Sequence, residues 1–333
     1  MTSNRMHADE LTISLSLVYR LIAAQFPRWA HLPLRPVPSA GTDNALYRLG
    51  DELMVRLPRI NWAADLIDKE CLWLPKLAPY LPFAIPIPLA QGEPDENYPW
   101  RWAIFRWIEG DPATIETLPD PEQTAIDLAA FITALQRIDA TDGPPPGADD
   151  LVRGKPLALR DPSTRQAIAA LDGMIDARLA TVVWEDALRA PVWDCAPVWF
   201  HGDLLPGNLL FWQGRLHAVI DFGTLGVGDP ACDLMVAWNL FSRDGRKLFR
   251  DALGVDEATW ARGRGWALSQ ALIFIPYYLY TNPIGISCAQ RTIEEVLADY
   301  QVSSSASSTA GDRSLAQVTV TRERQAPSLP CRR

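Results

Sequence analysis

Cysteine and histidine are scarce in this chain. The five cysteines, Cys71, Cys195, Cys232, Cys288 and Cys331, are scattered and odd in number, and no pair has metal-ligand spacing. That scatter predicts reduced thiols in a cytoplasmic protein rather than a disulfide framework. The four histidines, His7, His31, His201 and His217, form no cluster, which argues against a zinc site. Long apolar runs are lacking too. Residues 267–280 are apolar but too few to span a bilayer, and they include Pro276. At the N-terminus Leu11, Leu15, Val18 and Ile22 recur at helical spacing around Arg20, so this stretch reads as an amphipathic helix and not as a signal peptide. No GKS or GKT follows a glycine loop, so a Walker A site is absent. Positive charge is in deficit, with a formal net charge of −9. Such a surface repels nucleic acid and anionic membrane and favours a cationic ligand.

What is present is an ordinary globular balance over 333 residues, 48% hydrophobic and 21% charged, long enough for two domains or one two-lobed unit. Residues 45–49 and 53–57 flank the turn Gly50-Asp51-Glu52 and read as a hairpin. Helical character follows from Asn61 to about Leu74, ending near Pro75. The proline-rich residues 80–88 read as an edge strand or connector, and residues 101–108 as a strand. Beyond Gly110 the pattern turns helical. Asp120-Pro121-Glu122 is a helix start, with Leu128, Phe131, Ile132, Leu135 and Ile138 at helical spacing behind it. Asp161-Pro162 opens another helix, carrying Ile168, Leu171, Ile175 and Leu179. A short β island follows at 198–200, 209–212 and 216–220, and helices resume near Pro230, the last beginning near Gln290. From Ser303 the chain is Ser/Thr/Arg-rich without apolar periodicity and reads as a disordered tail.

The chemistry concentrates in that β island. His201-Gly202-Asp203-Leu204-Leu205-Pro206-Gly207-Asn208 is followed by Val219-Ile220-Asp221-Phe222-Gly223. Phosphoryl transfer needs a base for the attacking hydroxyl and oxygen ligands for the metal that neutralises phosphate charge. Asp203 at a strand exit can accept the hydroxyl proton. Asn208 offers a neutral oxygen and Asp221 a charged one, and a hairpin between them brings the two together. Singly these are loop polar residues bounding a hairpin; their order and spacing together point to a kinase-type site.

The stretch HGDLLPGNLLFWQGRLHAVIDFGTLGVGDPACDL over residues 201–234 resembles the signature of the aminoglycoside phosphotransferase family, small-molecule kinases with a protein-kinase-like fold. The resemblance extends over about residues 10–301. It implies an α+β, bilobal protein-kinase-like fold, with a small β-sheet N-terminal lobe and a larger, mainly helical C-terminal lobe. The expected division is a nucleotide-binding lobe over 1–110 with a hinge at about 104–110, a helical lobe over 111–301, and the tail 302–333.

The same resemblance implies ATP and Mg2+ as cofactors, with GTP left open. Asp203 is then the catalytic base, and Asn208 and Asp221 are the magnesium ligands. His201 anchors the loop, Asp229 before Pro230 caps a helix, and Asp233 bonds the catalytic loop. A phosphate-covering loop falls at Gly41-Thr42-Asp43-Asn44. Where the family usually has lysine this chain has Arg56, which keeps the charge but is larger and planar. Glu70 is its expected partner, with Asp65 and Asp68 as rivals. Adenine would bond backbone groups near Arg106 and Ile108. The expected partner is a small hydroxylated acceptor, cationic if it is an aminoglycoside, without nucleic acid or membrane. Asp172, Asp176, Glu185, Asp186, Glu294 and Glu295 are candidate carboxylates for such a cation, or else solvated helix faces. A nucleotide-binding module without transfer is the rival reading, motivated by Arg56. The acceptor and the oligomeric state stay open.

Overall fold

A computed structural model describes residues 10–37, 43–95, 97–114, 118–146 and 152–315. Of the expected phosphate-covering loop, Gly41 and Thr42 lie outside these residues. The chain opens with α1 (Leu15–Gln25), then β1 (Leu34–Pro36), β2 (Asn44–Leu49), β3 (Leu53–Pro58), α2 (Asn61–Leu77), β4 (Pro88–Gly92) and β5 (Trp102–Arg106). The five strands form one antiparallel sheet in the order β1-β2-β3-β5-β4. The expected hairpin is β2–β3, with Gly50 in the left-handed region (φ 62°) at its turn.

This sheet is buried on both faces. Successive side chains of a strand point to opposite sides. On β5, Trp102 and Ile104 join a core with Leu17, Val18, Leu21 and Ile22 of α1. Ala103 and Phe105, pointing the other way, join the larger core with Ile67, Leu74 and Leu77 of α2. That is why residues 102–105 are apolar without interruption rather than in alternation.

The chain leaves the sheet through residues 107–110. The short β6 (Asp111–Pro112) already pairs with a strand of the second lobe. Gly110 is required there. Its φ is 144°, and a Cβ would meet the Phe211 carbonyl oxygen at 3.0 Å. The second lobe comprises α3 (Pro121–Gln136), α4 (Asp161–Ala170), α5 (Ala177–Arg189), β7 (Val198–Phe200), β8 (Leu209–Trp212), β9 (Arg215–Val219), β10 (Gly226–Gly228), α6 (Val236–Asn239), α7 (Arg243–Leu253), α8 (Glu257–Tyr278) and α9 (Pro283–Leu315). Small sheets β6-β8-β9 and β7-β10 carry the β island. The α+β, two-lobed arrangement expected from the sequence is the observed one.

Several element expectations need correction. α1 starts at Leu15, capped by Ser14, so Leu11 precedes the helix. α2 runs through Pro75 to Leu77, because a proline in the last turn removes only one backbone bond and keeps a helical φ. Ala84, in the proline-rich connector, exchanges two backbone bonds with β9: its N–H donates to His217 and its carbonyl accepts from Val219. The connector thus ties the first lobe to the second. The helix opened by Asp161 stops at Ala170 and a new one starts after Asp176; Gly173, at φ 81°, marks the break. The last helix begins at Pro283 rather than near Gln290 and continues to Leu315, past the expected start of the tail at 302. Each added helical residue gains one backbone bond, so a helix already started extends through Ser- and Ala-rich sequence. Residues 316–333 lie outside those described. Cys71, Cys232 and Cys288 are in no disulfide, whereas Cys195, in the loop before β7, is disulfide-bonded, which corrects the expectation of reduced thiols. Among the described residues no helix is long and apolar enough to cross a membrane.

Candidate active site

The loop over residues 201–208 leaves β7 at His201, where its backbone bonds to buried side chains. Asp233 accepts from the His201 N–H at 2.9 Å and from the Gly202 N–H at 2.6 Å. Burial pushes the Asp233 carboxyl up to about 7, and the two N–H donors pull against that rise. Gly202 sits at φ 84°, and a Cβ would lie 2.8 Å from Thr224 Oγ1. That hydroxyl donates to the His201 carbonyl at 2.8 Å. Only glycine fits this position.

His201 is fully buried against Phe222, ring centroids 4.4 Å apart. Its Nδ1 accepts from the Asp203 N–H at 3.1 Å, so Nδ1 carries no proton. Nε2 lies 3.1 Å from the Ile220 carbonyl and therefore carries it. Burial holds the imidazole pKa down at about 4, with Asp221 and the Ile220 carbonyl opposing. Neutral His201 thus links the Asp203 backbone to Ile220, the residue before Asp221.

Asp203 exposes a quarter of its side chain. Its Oδ2 faces the Asn208 amide nitrogen at 3.3 Å, and the same nitrogen donates to the Asp203 carbonyl at 2.9 Å. Its Oδ1 lies 3.5 Å from Nη2 of Arg153. The surrounding protein pushes its carboxyl up to about 6, with Arg153 and Asn208 pulling it down. The Asn208 carbonyl accepts from the Ile220 N–H at 2.9 Å, so the hairpin brings Asn208 beside Asp221. Asp221 adopts φ 63°, a left-handed conformation that costs a non-glycine residue about 1 kcal/mol or more.

Arg56 on β3 is buried, and its Nη1 donates to both oxygens of Glu70, at 2.9 and 2.8 Å. Its Nη2 donates to Asp221 Oδ1 at 3.1 Å. With its amide oxygen turned inward, Asn44 accepts from Arg56 Nε at 3.2 Å and Nη2 at 3.0 Å. Burial works against the guanidinium charge, but Glu70 and Asp221 hold its pKa above the ordinary value. Burial pushes the Glu70 carboxyl up while Arg56 pulls it back. Asp68, a rival candidate, pairs instead with Arg101 at 3.0 Å, and Asp65 is exposed.

Arg106 is exposed at the end of β5, and its backbone N–H is committed to the Ile87 carbonyl at 2.9 Å. Asp229 caps the 3-10 turn Pro230–Met235 through the Ala231 N–H and forms a buried pair with Arg262 at 2.8 Å. It stands apart from the cleft groups. Among the acceptor-side acids, Asp176 caps α5, Asp186 pairs with Arg264, Glu185 with Arg165 and Arg189, and Glu295 with Arg246. Most are therefore tied up in the lobe's own framework. The sequence reading missed Arg153, Thr224 and Arg262. Arg153 lies in a loop without periodicity and gives no local signal.

A sequence profile described as "Phosphotransferase enzyme family" matches residues 34–266. The chain is 27% identical over 217 residues to an aminoglycoside 3'-phosphotransferase of Escherichia coli, covering 62% of this chain and 72% of the relative. An aminoglycoside 3'-phosphotransferase of Salmonella typhimurium is also 27% identical, over 214 residues, with the same coverage. In three dimensions the chain resembles the GDP and kanamycin complex of an APH(2") enzyme, with a TM-score of 0.66 at 20% identity, covering 85% of this chain and 98% of that one. It also resembles a macrolide 2'-phosphotransferase from Brachybacterium faecium, with a TM-score of 0.56 at 22% identity, covering 84% and 98%. At such identities these structures establish the fold. A profile match over most of the length places the chain in the phosphotransferase enzyme family, which transfers phosphate to hydroxyl groups of small molecules.

Proposed function

We propose that the chain transfers the terminal phosphate of ATP or GTP to a hydroxyl of a small polyhydroxylated acceptor of the aminoglycoside or macrolide kind, with Asp203 as base. One observation carries the reading. Asp203 presents a carboxylate whose two oxygens are approached from fixed directions, beside an Asn208–Asp221 pair joined through Ile220. A base so held can take the acceptor's proton as the phosphoryl group arrives in line.

The donor set fits magnesium. The Asn208 amide nitrogen is spent on Asp203, which turns its oxygen outward, and Asp221 keeps nearly half of its side chain exposed. Among the described residues no cluster of three His, Cys, Asp or Glu could hold a metal alone. Two hard oxygen ligands completed by phosphate oxygens and water are what Mg2+ accepts. When bound there, the ion neutralises phosphate charge. Arg56 fixes the direction of Asp221 and would add positive charge near the phosphates. At the hinge, the Arg106 N–H is used within the protein, while the Ile108 N–H has no partner among the described residues and can donate to the purine. The relatives named for aminoglycosides and macrolides support an acceptor of that kind.

The test is a panel of aminoglycosides, macrolides and simple amino alcohols with Mg-ATP and Mg-GTP, read by mass spectrometry for an added phosphate. Asp203→Ala should lower kcat by about 10²–10⁴-fold. Wild-type protein that phosphorylates none of these, or an Asp203→Ala variant as active as wild type, would reject the reading. A second reading, nucleotide binding without transfer, has one observation behind it: the Arg56 charge is shared between Glu70 and Asp221. Thermal stabilisation by Mg-ATP without turnover on any acceptor would favour it.

A further inference from the structure

We propose that Arg153 is a positioning residue for Asp203, bracing the base and the peptide before it against α8; the inference rests on the phosphotransfer reading above. Arg153 is 3% exposed. It lies between Val152 at φ 45° and Gly154 at φ 73°. Two successive left-handed kinks of this kind turn a loop sharply, and the turn sends this side chain inward. The Gly154 carbonyl accepts from the Asp229 N–H at 2.9 Å, and a Cβ on Gly154 would lie 2.1 Å from the Phe200 ring. The loop is therefore packed tightly against the end of β7, one residue from the catalytic loop.

Each nitrogen of the guanidinium faces a different part of the site. Nε donates to the Gly202 carbonyl at 2.5 Å, and that carbonyl belongs to the peptide linking Gly202 to Asp203. Nη1 donates to Gln270 Oε1 on α8 at 3.1 Å, and Gln270 also accepts from Arg160 at 3.2 Å. The ring of Trp266, one turn earlier on α8, lies 5.2 Å from the guanidinium carbon. Nη2 faces Asp203 Oδ1 at 3.5 Å, is buried, and makes no hydrogen bond among the described residues.

A buried nitrogen left without a bond is costly, because its lost hydration is not replaced. An arginine serving packing alone would be expected to spend all of its donors. Here the unspent donor points at the base, just outside bonding distance. Catalytic hydrogen bonds are often long in the free enzyme and tighten when substrate binds. With Asn208 on Oδ2 and Arg153 on Oδ1, the plane of the carboxylate is set before the acceptor arrives. A misplacement of about 1 Å at such a group can cost 10²-fold in rate.

The experiment compares Arg153→Met, Arg153→Lys, Gln270→Met and Asp203→Ala with wild type, using full-length protein and whichever acceptor the panel identifies. Arg153→Met should lower kcat by about 100-fold while the nucleotide KM stays within about twofold, because the nucleotide face is untouched. Arg153→Lys should recover about tenfold of that loss, since an ammonium can reach Asp203 or Gly202 but cannot span both and Gln270. Should Arg153→Met fail to fold, Gln270→Met keeps the charge while removing its brace, and should lower kcat by about tenfold. The inference is overturned by a folded Arg153→Met with kcat within about twofold of wild type, by a rate loss matching its loss of folded fraction, or by a lysine variant no better than methionine. For the Gln270→Met arm, unchanged kcat overturns it. No product from wild type on any acceptor sinks the phosphotransfer reading itself, and is distinct from an active wild type that tolerates Arg153→Met.

Discussion

Asp203 and Asp221 stand near enough to interact but are held by different means. On the catalytic-loop side the work is done by backbone. Asp233, Thr224 and His201 bond peptide groups of the loop, and glycine at 202 lets the chain pass close to Thr224. On the nucleotide side one buried guanidinium, Arg56, spans Glu70 and Asp221. The first arrangement spreads its dependence over many neutral bonds. The second concentrates it in a single pair of opposite charges, where removing one partner strands the other.

The largest expected effect probes that concentration. Glu70→Gln leaves Arg56 buried with only half-exposed Asp221 as a counter-charge, and should cost about 3–5 kcal/mol of stability in urea unfolding. It should also raise the nucleotide KM. A loss below about 1 kcal/mol would mean that the two sides are held alike.

Next comes the acid response of the loop. The folded pKa of His201, about 4, lies below the ordinary value of 6.5. Between pH 4 and 6.5 the unfolded chain binds the extra proton, so this contribution to stability rises with pH across the window and is complete above 6.5. It amounts to about 3 kcal/mol, lost as pH falls to about 4. Asp203 and Asp233, with raised pKa values, favour the fold in the opposite sense over part of the same range. The readable quantity is therefore the difference from His201→Gln, whose amide can still bond Asp203 N–H and Ile220. That difference should shrink in favour of the variant as pH drops, and a pH-independent difference would contradict a neutral, buried His201.

The smallest effect is a control away from both sides. Asp120 caps α3 by accepting from the Gln123 N–H at 3.0 Å. Asp120→Ala should cost about 1 kcal/mol in thermal unfolding and leave kcat unchanged. A larger loss, or altered turnover, would show that the second lobe transmits small perturbations to the cleft.

Residues close along the chain were the easiest to read from sequence. Asp203, Asn208 and Asp221 lie within one strand–loop–hairpin unit, so local spacing predicts their neighbourhood. Glu70 was legible at one remove. It shares a helix face with the buried Ala63, Ile67, Leu74 and Leu77 of α2, whereas Asp65 is exposed and Asp68 turns toward Arg101. Helical phase alone favours it. The α4–α5 break was misread because Leu171 and Ile175 keep an apolar rhythm through it, and a lone Gly173 was too weak a signal to outweigh that rhythm.

The sequence by itself determined the β2–β3 hairpin, the start of α3 and the close spacing of Asp203, Asn208 and Asp221, because these follow from periodicity, capping and spacing over a few tens of residues. Tertiary structure alone decided that Arg56 reaches Asp221 across 165 positions and that Arg153 faces Asp203 from a loop. Contacts at such range depend on how whole lobes pack, and no local pattern records them. The groups that hold Asp203 and Asp221 therefore became visible only once the chain was folded.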